Sequence, residues 1–191
     1  TTKLFGAIAG ALLLSTSANA ACGKITIADM NWSSASLMAN VDKAMLEAMG
    51  CEVELVAGST MPTFTSMNET GSPDVAPEIW ANAFKDLVAS ATDAGRLHVA
   101  NPEPMSGLGE GWWVLPATLD AHPELTSVEA ILARPDLFPD NEDPSKGAFH
   151  GCPSGWSCQL INQSLFKAWD MEAKGWKLVD PGSNAGLDGS I

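Results

Sequence analysis

The sequence predicts an α/β fold, on the strength of two apolar runs, an amphipathic segment between them, and turn residues that bound them. Lys24–Ala28 and Glu52–Val56 are typical of strands. Between them, apolar residues recur every three or four positions from Leu37 to Met49, which predicts a helix, and Gly50 follows as its stop. A strand, a helix and a strand in this order form the unit of a parallel sheet with a right-handed crossover.

The same alternation of strands and helices continues along the chain, which favours an α/β layer fold. Before a Pro-rich break at 101–107, the pattern predicts a short helix at 62–67, a strand at 75–80, a helix at 83–94 and an extended segment at 97–100. After the break it predicts a strand at 111–115, short helices near 120 and at 128–133, an apolar run at 147–150, a helix at 157–170, a strand at 177–179 and a last capped helix after 181.

The first 20 residues have the pattern of a secretory signal peptide. A positive charge at Lys3 precedes the uncharged apolar run Leu4–Leu14, and Ala18–Ala20 supplies a small-x-small cleavage site. The run is too short to span a bilayer comfortably. We therefore expect an exported, periplasmic protein that begins after Ala20. Cys22 leaves a lipid anchor open as an alternative, but Asn19 stands where lipoprotein signals usually carry an aliphatic residue.

The charge of the chain excludes one class of function. The formal net charge is −13, and residues 21–90 contain three lysines and no arginine. Nucleic acid binding needs clustered cations against phosphate, so we expect no nucleic acid partner. The acidic residues are interpreted as a solvated surface.

The four cysteines are an even set in an exported chain, which predicts two disulfides. Cys152 and Cys158 bracket a five-residue loop. Cys22 and Cys51 each precede a predicted strand, and neighbouring parallel strands would place their starts side by side. Zinc is the competing interpretation, but a C-x-x-C pair is missing and the three histidines are scattered, so we expect no metal and no cofactor.

The aromatic residues are unusual, with seven tryptophans and no tyrosine. Trp32 and Trp80 follow the carboxyl ends of predicted parallel strands, the edge at which open α/β sheets bind ligands. Trp156 lies in the short cysteine loop, just before a predicted helix whose first N–H groups, at Ser157 and Cys158, could receive a carboxylate. Tryptophan faces attract quaternary ammonium ions, so the pattern predicts a cation cage beside an anion site.

A tryptophan taken singly is more often a packing residue than a ligand contact. Trp112 and Trp113 are adjacent on a predicted strand, so only one should face a cleft, and we favour Trp112. Trp169 and Trp176 are interpreted as structural, because the first lies on the apolar face of a predicted helix and the second precedes a strand.

At these residues the chain resembles the glycine betaine, proline betaine and choline-binding proteins of ABC importers. The most specific match is the octapeptide Gly151–Cys158, similar to the family's disulfide loop with its cage tryptophan. Asp29–Trp32 and Asp74–Trp80 resemble segments that carry further cage tryptophans. Gly111–Trp112 falls where several members place an aromatic residue.

The resemblance implies a two-lobed, type II Venus-flytrap fold, with lobe 1 over residues 21–105 and lobe 2 over 106–191. It implies a monomer that binds a small quaternary ammonium ligand and then meets the membrane permease subunits of its importer. Two departures accompany it: Phe84 stands where some betaine binders have a histidine, and members extend past the equivalent of Ile191. We therefore expect a C-terminally incomplete fold that lacks one cage aromatic.

Two other classes of function remain as competing hypotheses. A secreted enzyme would need an acid–base or nucleophilic constellation, yet no spacing links Asp29, Glu78 and His150, and no G-x-S-x-G, P-loop or H-E-x-x-H motif occurs. A structural or adhesion module would be favoured by repeats, which are not seen. We therefore expect a binding protein for glycine betaine, proline betaine or a related solute, with choline or carnitine as the alternative, and no enzymatic activity.

Overall fold

The computed structural model describes residues 22–100 and 109–190. The predicted signal peptide at 1–20 and the whole of the predicted break at 101–107 lie outside these residues. The first described range holds β1 (Lys24–Met30), α1 (Ser33–Ala48), β2 (Glu52–Gly58), α2 (Thr60–Thr70), a 3₁₀ turn (Ala81–Phe84) and α3 (Lys85–Asp93). The second holds α4 (Pro116–Ala121), α5 (Val128–Leu132), a 3₁₀ turn (Pro135–Leu137), β3 (Gly147–His150), α6 (Ser157–Ala168), β4 (Trp176–Val179) and α7 (Asn184–Asp188).

The predicted strand–helix–strand unit is confirmed. β1 and β2 pair in parallel from Lys24 opposite Glu52 to Met30 opposite Gly58, and α1 connects them. The Cys22–Cys51 disulfide joins the starts of the two strands, with 5.1 Å between the Cα atoms, as predicted. β1 is the best-buried strand of this half, so its carboxyl end is a fixed platform.

The buried face of α1 differs from the apolar stripe seen in the sequence. Ala35 and Ala39 are buried against the strands, whereas Leu37, Val41 and Met45 are exposed. Small alanine side chains bring a helix close to a sheet, because they leave no bulk between the two backbones. The helix itself is confirmed. Of its large apolar residues, Leu46 packs on the core beside the β1–β2 sheet, whereas Leu37, Val41 and Met45 do not.

The predicted strand at 75–80 is wrong. Only Val75 pairs with β1, as an isolated bridge in which the Ala28 N–H donates to the Val75 carbonyl at 2.8 Å. Pro77 has no N–H to continue such a ladder. Asp74 secures the same segment, because its carboxylate accepts hydrogen bonds from the Thr26 N–H at 2.7 Å and the Thr26 hydroxyl at 2.6 Å. The chain then leaves the sheet and carries Glu78 and Trp80 in an irregular segment.

The second described range contains its own parallel pair, β3 with β4, in the register Gly147 opposite Trp176. Its core is formed by Leu132, Met171 and Trp176, on which several partly buried apolar residues pack. The predicted strand at 111–115 is wrong, because these residues form no ladder and the Trp112 side chain packs on this core instead. No helix within the described residues is long and apolar enough to cross a membrane.

Candidate functional site

A cavity of about 890 Å³ opens between the carboxyl end of β1, the start of α6 and the segment around residue 111. Six of the seven tryptophans line it: Trp32, Trp80, Trp112, Trp113, Trp156 and Trp169. The seventh, Trp176, is 3% exposed and donates its indole N–H to the Leu132 carbonyl in the core. The tryptophans are therefore concentrated at one cavity, which packing alone does not require.

Trp32, Trp80 and Trp156 line one side of this cavity, which we call the first wall. Trp32 and Trp156 are the closest aromatic pair of this wall. Their ring centroids are 5.5 Å apart and their planes meet at 73°, an edge-to-face arrangement. The Trp156 indole N–H donates to the Asn31 side-chain carbonyl at 2.8 Å, across 125 residues of sequence. Asn31 and Trp32 directly follow β1, so the end of this strand fixes both rings.

A single carboxylate connects Trp32 with Trp80. Oε1 of Glu78 accepts the indole N–H of Trp32 at 2.7 Å and that of Trp80 at 2.8 Å. The Ser34 hydroxyl donates to the same oxygen at 3.0 Å. The nitrogen edges of both rings are thus turned to Glu78, and the rings themselves are among the residues that line the cavity.

The loop between Cys152 and Cys158 carries Trp156 and so forms part of the first wall. The Cys152–Cys158 disulfide is confirmed, with 5.8 Å between the Cα atoms. Trp156 has extended backbone and precedes α6, so the N–H groups of Ser157 and Cys158 belong to the first turn, whose donors have no intrahelical partner. Both residues line the cavity, and the positive end of the helix dipole adds to the attraction for an anion there.

Gly155 positions the loop against the first half of the chain. Its φ of +89° is in the left-handed region, and a Cβ atom there would lie within 2.4 Å of the Ser59 hydroxyl oxygen. Its carbonyl accepts the Met61 N–H at 3.1 Å. A glycine is therefore required here both by the backbone conformation and by the close approach of α2.

Trp112 and Trp169 build the second wall together with Trp113. Trp112 packs on Trp169, with 5.1 Å between ring centroids, and donates its indole N–H to Asn162 at 3.0 Å. The expectation that only one of Trp112 and Trp113 faces the cleft is wrong, because it assumed a strand: both line the cavity, and Trp113 is 84% exposed. Trp169, interpreted as structural, both packs on Trp112 and lines the cavity.

The cavity carries little charge of its own. Among the described residues that line it, Glu110 is the single charged side chain, and desolvation raises the pKa of this carboxyl. Neutral polar groups come from Asn82, Asn162 and Asn184. In the described part of the chain, no group of three or more His, Cys, Asp and Glu residues could hold a metal ion.

All six residues predicted for the ligand site line this one cavity: Trp32, Trp80, Trp112, Trp156, Ser157 and Cys158. Their role in binding stays a prediction. Sequence reasoning missed the side chains that anchor the rings, Asn31 and Glu78, and it missed Trp169. A signal for Trp169 did exist, because Ile161, Leu165 and Trp169 are four residues apart on one face of a helix that begins at the cavity.

A comparison with known protein families agrees with this geometry. Residues 23–191 match the family described as the substrate binding domain of ABC-type glycine betaine transport systems. The match covers the described residues from Gly23 onward and includes every residue of the cavity named above.

Proposed function

This chain belongs to the family of substrate-binding domains of ABC-type glycine betaine transport systems, and on that premise we propose that it captures a specific quaternary ammonium solute for an importer. The proposed ligands are glycine betaine, proline betaine or a close relative. The observation that carries the proposal is the convergence of Trp32, Trp80 and Trp156 on one cavity. A trimethylammonium group has no N–H to donate, so a protein must hold it with π faces and apolar contact.

The other end of a betaine is a carboxylate, and the first turn of α6 is proposed to receive it. The N–H groups of Ser157 and Cys158 adjoin Trp156 in sequence, so an anion site lies next to the aromatic site. A zwitterion with its two charges separated by one or two carbon atoms needs this adjacency. The disulfide holds the loop and the helix start together.

Choline is the second candidate ligand, and carnitine, which has both a hydroxyl group and a carboxylate, stays an alternative that needs the same anion site as a betaine. No lysine, arginine or histidine occurs among the described residues that line the cavity, and the one charged side chain there, Glu110, is acidic. Such a lining offers a ligand carboxylate only backbone and neutral polar donors. A cation with a hydroxyl group, such as choline, needs nothing more.

Members of this family are extracellular or periplasmic substrate-binding components, and they work with the permease subunits of ABC transporters. For this chain, we propose a periplasmic monomer whose two lobes close on the ligand, so that the permease subunits recognise the closed form. Binding without turnover follows from this role. Ligand recovered after incubation should be chemically unchanged.

The first test is calorimetric titration with glycine betaine, proline betaine, choline, carnitine and a sulfonium analogue. We expect saturable one-to-one binding of at least one of them. The matched control is 3,3-dimethylbutanoate, which has the shape and carboxylate of glycine betaine but a neutral carbon in place of nitrogen, and it should bind at least about tenfold more weakly. Absence of binding to every quaternary ligand, or equal affinity for the neutral control, would refute the proposal.

A further inference from the structure

Glu78 has an arrangement that the proposed ligand contacts do not explain. One of its oxygens accepts hydrogen bonds from two indole N–H groups and one hydroxyl, those of Trp32, Trp80 and Ser34. The side chain is half-buried, and Glu78 is not among the residues that line the cavity. Glu78 therefore lies on the nitrogen edges of two cavity tryptophans without forming part of the cavity surface.

The two rings depend on Glu78 to different degrees. Trp32 is 9% exposed and packs among Ala28, Met30 and Ala35, so several contacts hold it. Trp80 is 37% exposed and lies in an irregular segment, where the ladder has already ended. For Trp80 the bond to Glu78 is thus a main restraint on the orientation of the ring, whereas for Trp32 it adds to existing packing.

Orientation matters here because the attraction between a cation and an aromatic ring comes from the negative face of the ring, while its edge is positive. A carboxylate that accepts both N–H edges fixes the direction in which each face can point. Charge-assisted hydrogen bonds of 2.7 to 2.8 Å are the strong class of such contacts. Loss of the acceptor would leave the Trp80 ring free to change rotamer.

We propose that Glu78 is the positioning residue of the aromatic site, which fixes Trp32 and Trp80 relative to each other so that both faces can meet one ammonium group. This inference rests on the proposed function and goes one step further, because it assigns affinity to a side chain that does not touch the ligand. The amide of glutamine could accept the same bonds, whereas alanine could not.

The binding test compares Glu78→Ala, Glu78→Gln and Glu69→Ala, with tetramethylammonium as the minimal probe and the best ligand of the panel beside it. Glu69 is an exposed carboxylate in the same half of the chain, so its removal controls for the loss of one negative charge. We expect about a tenfold loss of affinity for Glu78→Ala, a loss below about threefold for Glu78→Gln, and no change for Glu69→Ala. Wild-type affinity in Glu78→Ala, or an equal loss in Glu78→Gln, would overturn the inference.

A spectroscopic reading separates positioning from general destabilisation. The seven tryptophans give seven indole N–H resonances in a ¹⁵N-labelled protein. In Glu78→Ala the resonances of Trp32 and Trp80 should move upfield, while that of Trp176, bonded in the core, should stay in place. Unchanged resonances for both Trp32 and Trp80 would contradict the role even where affinity falls.

Failure of the proposed function and failure of the role of Glu78 give different experimental results. If the wild-type chain binds no quaternary ammonium compound, the proposed function fails, and the resonance shifts alone still decide whether Glu78 fixes the two rings. If the wild type binds and Glu78→Ala binds equally well, only the present inference fails. Should Glu78→Ala not fold, Glu78→Gln still tests it, because the glutamine variant must then keep both affinity and the two indole resonances near the wild-type values.

Discussion

Trp156 is restrained from three directions at the residue scale. Its indole N–H is bonded to Asn31, its ring meets the ring of Trp32, and its backbone belongs to a loop closed by a disulfide. A ring held this way has already lost most of its conformational freedom before a ligand arrives. Preorganisation of this kind lowers the entropic cost of binding.

We predict that Trp156→Ala lowers the affinity for the best quaternary ligand at least fivefold, because a π face and its packing are worth about 1 kcal/mol or more. The affinity of Trp156→Phe should lie between those of the wild type and Trp156→Ala, since phenylalanine keeps a smaller π face. Leu160→Ala, on an exposed position of the same helix, serves as the control and should bind like the wild type. Calorimetry measures all three, and an alanine variant within about threefold of wild type would exclude Trp156 from the site.

The sequence predicted Trp32, Trp80 and Trp156 for one site, and all three line one cavity, although their role in binding stays a prediction. Trp32 follows the end of β1 and Trp156 lies in the cysteine loop, as expected, whereas Trp80 was placed by a strand at 75–80 that does not form. The sequence could not reveal Asn31 and Glu78 as partners of these rings. The Asn31–Trp156 and Glu78–Trp32 hydrogen bonds cross 125 and 46 residues respectively, so they depend on how the chain returns in space. The Glu78–Trp80 bond spans only two residues, but it lies in a segment that was predicted as a strand and is irregular. Polar residues near a strand end look alike in sequence whether they anchor a ring or face solvent.

Among the elements, the two disulfides differ in what they hold. Cys22–Cys51 joins the starts of β1 and β2, at the end of the sheet away from the cavity, whereas Cys152–Cys158 closes the loop that carries Trp156. Cys22–Cys51 therefore stabilises the sheet, whereas Cys152–Cys158 also fixes part of the candidate site.

Removal of either disulfide should lower the stability of the fold, but removal of only one of them should also lower the affinity for ligand. In the chain-entropy picture, Cys152→Ser with Cys158→Ser lowers the free energy of unfolding by about 2 kcal/mol, and Cys22→Ser with Cys51→Ser by about 3.5 kcal/mol. We predict that only the first pair also weakens ligand binding, by about threefold or more. Urea unfolding and calorimetry under native conditions provide the two measurements, and an equal loss of affinity in both double variants would contradict the distinction.

Element prediction succeeded for the long helical periods and was mixed for the short apolar runs. The helices at 33–48 and 157–168 were found from periodicity, and the short runs predicted as strands at 24–28, 52–56 and 177–179 lie in strands, whereas 147–150 was recognised only as an apolar run. The runs at 75–80 and 111–115 were taken for strands, but a proline ends the first and tryptophan packing replaces a ladder in the second. Short apolar runs do not contain the information that distinguishes a paired strand from an extended, packed segment.

For the whole molecule, we expect the free energy of unfolding to fall more in acid than in mild base. Hydrogen bonds from Thr26 lower the pKa of Asp74, and the N–H of Asp143 is the first cause of the lowered pKa of Asp140. A carboxyl whose folded pKa lies below its unfolded value stabilises the fold above about pH 4, and this contribution is lost as pH falls through the folded pKa. The raised pKa of Glu110 opposes the trend at a single site.

We therefore predict a steady urea midpoint between about pH 5 and pH 7 and a marked fall below about pH 4. Asp74→Asn should flatten the acid side of this curve, because the amide cannot lose a proton, and should lower the midpoint near neutrality. Unfolding curves at several pH values, read by far-ultraviolet circular dichroism, supply the check. A midpoint that stays level down to pH 3 would show that these hydrogen bonds do not stabilise the fold.

The edge-to-face contact of Trp32 and Trp156 has an optical consequence. Two indoles with centroids 5.5 Å apart are close enough for their electronic transitions to couple. The chain has no tyrosine, so its near-ultraviolet absorption belongs almost entirely to tryptophan, and six of the seven rings surround one cavity. The chromophores of the molecule therefore lie where its ligand is proposed to bind. Any event that reorients these rings should change the near-ultraviolet circular dichroism spectrum directly.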